Sequence, residues 1–206
     1  MITFFDHQYV PPAARWLLFK RVTRCFWIGI ATVLACQTGA ATAAAPAIEG
    51  HFSLQNKAGE LVTERTYEGK GKWTLIYFGY ATCPEICSTV MQRVALAMGE
   101  LGPATEKLQP LFVTLDPAND TPERLSIYLA NFDKRMIGLT GSKKQTKDAV
   151  QSFRMYVKTR VLDSGATTID HSSYLFLKRP DGSFARLLSG DTSGHNLAGE
   201  LRRYLQ

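Results

Sequence analysis

An uninterrupted apolar and aromatic run, Trp73–Tyr80 (WTLIYFGY), changes abruptly to a helical periodicity, with two cysteines at the change. A run of this kind, without polar alternation, reads as a strand covered on both faces. From Glu85 onward, Cys87, Val90, Met91, Val94, Ala97, Met98 and Leu101 recur at three- and four-residue steps. That spacing predicts an amphipathic helix, ended by Gly102-Pro103. A doubly covered strand leading into a helix demands a sheet with helices packed on it.

The rest of the chain supplies the other layers. Leu108–Leu115 reads as a second buried strand and Met136–Leu139 as a short third. Between them, Asp120 is the expected N-cap of a helix with Pro122 early in it, Glu123 as capping-box partner, and Leu125, Tyr128, Leu129 and Phe132 on its apolar face. Ser142 with Gln145 predicts another capping box before Ala149, Val150 and Phe153. Ser173–Leu177 and Ser183–Leu188 surround Pro180-Asp181-Gly182, a hairpin by turn chemistry, and Leu197, Leu201, Tyr204 and Leu205 mark a C-terminal helix. Upstream, His51–Leu54 and Leu61–Thr63 flank Asn56–Gly59 as an N-terminal β-hairpin extension. The expected fold class is α/β, a mixed central sheet flanked by helices, in the element order of a thioredoxin-like fold.

A chain of 206 residues with 45% hydrophobic and 20% charged residues is neither disordered nor a multi-span membrane protein. About half of its formal charge of +6 comes from Arg15, Lys20, Arg21 and Arg24 set against Asp6. The remaining surplus forms no basic cluster with interleaved aromatics, so no nucleic-acid partner is expected. After Arg24 comes a charge-free run, Cys25–Ile48, apolar in its first half and alanine-rich in its second. Three readings fit it. Ala41-Thr42-Ala43 suits a cleaved signal peptide, the whole run just reaches the length of a spanning anchor, and Val33-Leu34-Ala35-Cys36 is a loose lipoprotein acceptor. Each places the domain across a membrane, periplasmic and either soluble or tethered to the inner membrane. The expected division is therefore 1–45, signal or anchor, and 46–206, one domain of ordinary size.

Only Cys83 and Cys87 remain in that domain. A four-residue step at a helix start puts both sulfurs on one face, where the helix dipole and free N–H groups favour thiolate. A disulfide closing so short a loop stabilises little. Thiolates serve either disulfide exchange or soft-metal binding. Of the histidines, His7 lies in the targeting segment, and His51 and His195 read as surface or structural residues. His171, in Ile169-Asp170-His171-Ser172-Ser173 directly before a strand, occupies the loop that in thioredoxin-like sheets lies beside the redox helix, and no proline occurs between Pro122 and Pro180. Two thiolates with one imidazole favour copper, since structural zinc normally takes a fourth protein ligand. Arg93, the nearest downstream basic residue, stands too far past Cys87 to suit a peroxidase.

From about Gly50 to the C-terminus the sequence resembles the Sco/SenC family of copper chaperones associated with cytochrome c oxidase. The resemblance is carried by YFGY-A-T-C-P-E-I-C-S, by Leu115-Asp116-Pro117-x-x-Asp120-Thr121-Pro122, by Gly138–Gly141 and by Asp170-His171-Ser172. It implies a thioredoxin fold and one copper per domain, bound by Cys83, Cys87 and His171. It also implies a metallochaperone role, with delivery to the dinuclear copper site of the oxidase's copper-bearing subunit or to another copper acceptor. A thioredoxin-like reductant is then required, because an exported compartment oxidises thiols. The alternative is a thiol–disulfide oxidoreductase, with Cys83 attacking and Cys87 resolving, that keeps oxidase cysteines reduced. Asp116 matches the family's aspartate near the site, either as a group orienting His171 or a thiolate, or as a turn residue. Glu85, Ser88 and Asn119 depart from common family residues.

Overall fold

The computed structural model describes residues 47–163 and 167–206. The segment expected to be signal or anchor, with His7, Cys25 and Cys36, lies outside the described residues. Among those described, no helix is long and apolar enough to cross a membrane.

In chain order the domain runs β1 (Ser53–Gln55), β2 (Leu61–Thr63), β3 (Trp73–Gly79), α1 (Ile86–Leu101), a 3-10 turn (Gly102–Lys107), β4 (Leu108–Thr114), α2 (Pro122–Ala130) and β5 (Ile137–Leu139). It continues with α3 (Lys143–Ser152), β6 (Val157–Val161), β7 (Thr167–His171), β8 (Tyr174–Lys178), β9 (Phe184–Ser189) and α4 (Gly194–Arg202). The central sheet has the order β5-β4-β3-β8-β9. β3 pairs parallel with β4, and β4 with β5; β8 is antiparallel to both β3 and β9. This is the mixed, thioredoxin-like sheet expected from the element order, with β3 at its centre. β1 and β2 form the expected separate hairpin, whose turn is fixed by the Asn56 Oδ1 accepting the N–H groups of Ala58 and Glu60 at 2.9 and 3.0 Å.

Alternation along β3 divides the core. Leu75 and Tyr77 pack with α1, α2 and α4 on one face; Ile76 and Phe78 pack on the other with Phe52, Leu54 and Val62 from the hairpin region and Ala149 and Phe153 of α3. On this second face Phe153 meets Phe78 and Phe176 edge-on, at centroid distances of 5.0 and 4.9 Å. Both faces are covered, which is why β3 has no polar alternation.

Two expectations need correction. The N-cap of α2 is Thr121, whose hydroxyl accepts the Arg124 N–H at 3.2 Å. With Pro122 already fixing the first helical position, Asp120 falls one residue too early to cap, and it is fully buried instead. The α3 capping box of Ser142 and Gln145 is present as expected. The second correction concerns His171. It closes β7, which pairs only with β6 in a two-stranded sheet outside the central one, rather than standing in a loop. No residue of these two strands is fully buried, so the hairpin lacks the apolar run by which the central strands are recognised.

At the end of β8, Lys178 is fully buried. Its Nζ donates to the carbonyls of Gly50 and Glu49, at 2.5 and 3.5 Å, and lies 5.5 Å from the centre of the Phe153 ring. Burial pushes its amine down to about 8. Because the folded state then prefers the neutral amine, the cost of the buried charge is full below that value and disappears as pH rises toward the unfolded value of about 10.5. The thermal midpoint of the protein, measured relative to that of Lys178→Met, should therefore rise between pH 8 and 10. A pH-independent difference would contradict this.

Candidate metal centre

The site lies where β3 runs out. Cys83 sits in the turn after it, its N–H donating to Tyr80 O at 3.1 Å, and Cys87 is in the first turn of α1. Both cysteines are free thiols, Cys83 half-buried and Cys87 fully buried. The N-cap of α1, Glu85, makes no side-chain capping bond. The N–H groups of Glu85 and Cys87 are turned instead to the Cys83 sulfur. That is the use of a helix N-terminus anticipated from the spacing of the pair.

The other half of the site comes from β7. His171 Nε2 lies 3.6 Å from Cys87 Sγ, and the donor atoms of Cys83, Cys87 and His171 all lie within 4.8 Å of one another. Among the described residues no fourth cysteine, histidine or carboxylate joins them. A metal roughly 2.2 Å from three coplanar donors holds them about 3.8 Å apart, so these side chains need to close by only a fraction of that distance. Two tyrosine rings pack against the imidazole. The rings of Tyr77 and Tyr80 meet it edge-on with centroids 6.1 and 6.3 Å away. The Tyr80 hydroxyl lies 3.3 Å from Thr168 Oγ1 and accepts the Ile169 N–H at 3.4 Å, tying β7 to the end of the central strand. The Tyr77 hydroxyl points to Cys87 Sγ at 4.0 Å.

The two sulfurs are electrostatically unlike. The Cys83 thiol is held down to about 4, chiefly by its hydrogen bond with Cys87, with His171 and the backbone N–H groups of Cys87 and Glu85 adding to it against partial burial. Cys87 is pushed up, by the charged neighbour it bonds to and by its own burial. The half-buried sulfur thus favours the thiolate and the buried one the thiol.

Asp116, expected either to orient the site or to serve as a turn residue, makes its contacts within the turn. Its carboxylate accepts the Asn119 side-chain amide at 2.8 Å, while His171 Nδ1 lies 3.1 Å from the carbonyl of its neighbour Ser172. The turn role is the one the contacts support. The carboxylate tied to the cysteine turn is Asp120, whose Oδ2 accepts the Ala81 N–H at 3.0 Å and the Thr114 hydroxyl at 2.6 Å. Burial raises its carboxyl. A clue lay in Asp120-Thr121-Pro122: once threonine caps the helix, the preceding aspartate is free to turn inward. His51 and His195 are exposed residues paired with Glu64 and Glu100 at 2.9 and 3.0 Å, away from the site.

Fold and site together define a thioredoxin-like protein in which a Cys-x-x-x-Cys pair at the head of the first long helix faces a histidine. The model of the SCO1/SenC family matches residues 40–206, and the chain belongs to that family. It is 33% identical over 168 residues to the protein sco1 of Schizosaccharomyces pombe, covering 80% of this chain and 63% of that protein. The chain thus spans about three fifths of the length of such relatives. Among solved structures, Bradyrhizobium japonicum ScoI with copper bound superposes with a TM-score of 0.69 at 32% identity, over 77% of this chain and 99% of that one. Yeast Sco1 with copper bound gives 0.69 at 31% identity, over 78% and 89%.

At Gly79 the site depends on a missing side chain: a Cβ there would stand 2.9 Å from Cys87 Sγ and 3.0 Å from Phe112 Cζ. Gly79→Ala should destabilise the domain by about 1–3 kcal/mol and, in a Cys83→Ser background, accelerate labelling of Cys87 by a thiol reagent. An unchanged melting midpoint together with an unchanged labelling rate would show that the contact is not tight.

Proposed function

We propose that this protein is a copper metallochaperone: reduced Cys83 and Cys87, with His171, carry one copper ion as cargo and pass it to an acceptor protein. The observation that carries the reading is the convergence of two sulfurs and one imidazole nitrogen within 4.8 Å at the end of the sheet. Soft thiolates select copper(I), and imidazole accepts copper in either oxidation state. Three donors, one of them on a half-exposed turn residue, suit an ion that must leave again, since an incoming ligand can add before a resident one departs. Copper bound to solved relatives at over 30% identity supports the same cargo. The acceptor is the copper-bearing subunit of cytochrome c oxidase or another copper protein. Loading requires both thiols reduced, a task for a thioredoxin-like reductant.

The unlike thiols favour a second activity on the same residues. The exposed Cys83 thiolate is placed to attack a substrate disulfide, forming a mixed disulfide and releasing one substrate thiolate. Cys87, on losing its proton, then attacks Cys83 Sγ; the second substrate thiol leaves and the Cys83–Cys87 disulfide forms, two electrons having passed to the substrate. His171→Ala separates the activities. Its copper(I) affinity, measured anaerobically by competition with a chromophoric chelator, should fall about a hundredfold, or ~2.7 kcal/mol, while disulfide exchange with a model substrate persists. Unchanged copper affinity would leave only the dithiol function.

Residues 1–45 are proposed to carry the domain into the periplasm, as a cleaved signal or as an anchor on the inner membrane. A fusion of this segment to alkaline phosphatase should be active in a bacterial host, as only exported phosphatase is; an inactive fusion would overturn the assignment.

A further inference from the structure

A cleft of about 880 Å3 opens beside the metal centre, lined by the cysteine turn, the Asp116–Asn119 loop, α3 and the β6–β7 hairpin. This volume is within the ~300–1,000 Å3 span of ligand-binding clefts, and the activities described above do not use it. Its construction follows from the hairpin register. Thr159 pairs with Ile169, and Val157 with His171, so one face of the hairpin presents residues that line the cleft and ends at the imidazole. The cleft thus runs along the strand that carries His171 and reaches Thr82, the residue before Cys83.

The cleft wall has a sign. Arg124, Lys143 and Lys147 line it against a single carboxylate, Asp116, which already accepts a hydrogen bond from Asn119. Among the described residues neither Lys143 nor Lys147 makes an ion pair, whereas Lys144 on the same helix is neutralised by Asp148 at 2.7 Å. Between the two free lysines Thr146 lines the same wall. It is 6% exposed and its hydroxyl has no hydrogen-bond partner among the described residues. A buried polar atom left in this state costs free energy. Leu115, Val150 and Ile169 give the cleft an apolar component.

We propose that this cleft docks an extended acidic segment, with apolar side chains among its carboxylates, of the protein that exchanges copper or disulfides with Cys83. The identity of the occupant as the exchange partner rests on the function proposed above; the acidic specificity rests on the cleft alone. The lining is drawn from separate chain segments and reaches the residue before the half-buried Cys83, a geometry that fits a polypeptide delivering its own ligands there. Cationic walls steer such a partner and set its register, while the hairpin face supplies the apolar contact.

The test is fluorescence anisotropy of the full chain in mild detergent with a labelled peptide of repeated Ser-Asp-Leu-Asp, compared with the same peptide carrying Lys for every Asp. The acidic peptide should bind saturably and more weakly in high salt, and the basic one should not. Lys143→Glu with Lys147→Glu should weaken binding at least about tenfold. Thr159→Trp, which fills the cleft without changing charge, should do the same. Equal binding of both peptides, failure of the acidic one to saturate, or loss in the charge-reversed variant without loss in Thr159→Trp would each overturn the proposal, the last by reducing it to general surface attraction. Copper retention by the cleft variants, and peptide binding by His171→Ala, should both be unaffected. If His171→Ala keeps its copper, the metal reading fails; if the cleft variants keep their peptide, the docking reading fails.

Discussion

The close approach of a helix to a strand at Gly79 is the contact on which the site rests. Cys87 is buried because α1 lies directly on the end of β3, and it can lie there only because that position has no side chain. Phe112 closes the same space from the neighbouring parallel strand. The buried sulfur is therefore fixed by the packing of the whole first face of the core, and Cys83 and His171 are arranged around it. A metal-binding pair placed on loops would have to pay for its own ordering; here one donor is already held by hydrophobic burial.

The chemistry follows from the inequality that this packing creates. The turn that leaves Cys83 half-open also aims backbone N–H groups at its sulfur, while the core that fixes Cys87 denies it solvent. Negative charge gathers on the accessible atom and the proton on the buried one. A metal ion resolves the inequality, since it makes both sulfurs anionic, and so does oxidation, which removes both protons. The two proposed activities, copper carriage and disulfide exchange, would thus compete for a single electronic arrangement, with the redox state of the partner selecting between them.

Much of this was legible in the sequence because it lies in strongly periodic segments. The switch from WTLIYFGY to a helical repeat fixes where Cys83 and Cys87 stand, and the hairpin signals at Asn56–Gly59 and Pro180–Gly182 place the flanking strands. The position of His171 was recognisable from the absence of proline and from the strand that follows it. Its actual support was not, because β6 and β7 are mainly polar, hold no fully buried residue and carry no burial pattern. In hindsight Val157, Thr159 and Val161 alternate with Lys158 and Arg160, a two-residue period in an isolated ribbon. Asp120 reads as a cap because aspartate and threonine are both good caps, and only the fixed proline decides between them. Tyr77 and Tyr80 read as strand residues; nothing in one dimension says that both rings meet an imidazole edge-on.

Lys178 gives the molecule a direction. It pairs with Thr74 near the start of β3, whereas the sulfurs follow that strand's other end, about 16 Å further on at the usual strand rise. By gripping the backbone of Glu49 and Gly50 beside the Phe153 ring, it fastens the start of the described chain to the second face of the core. The chain from residue 47 onward is therefore secured on the face of the sheet that does not carry α1 and its buried sulfur.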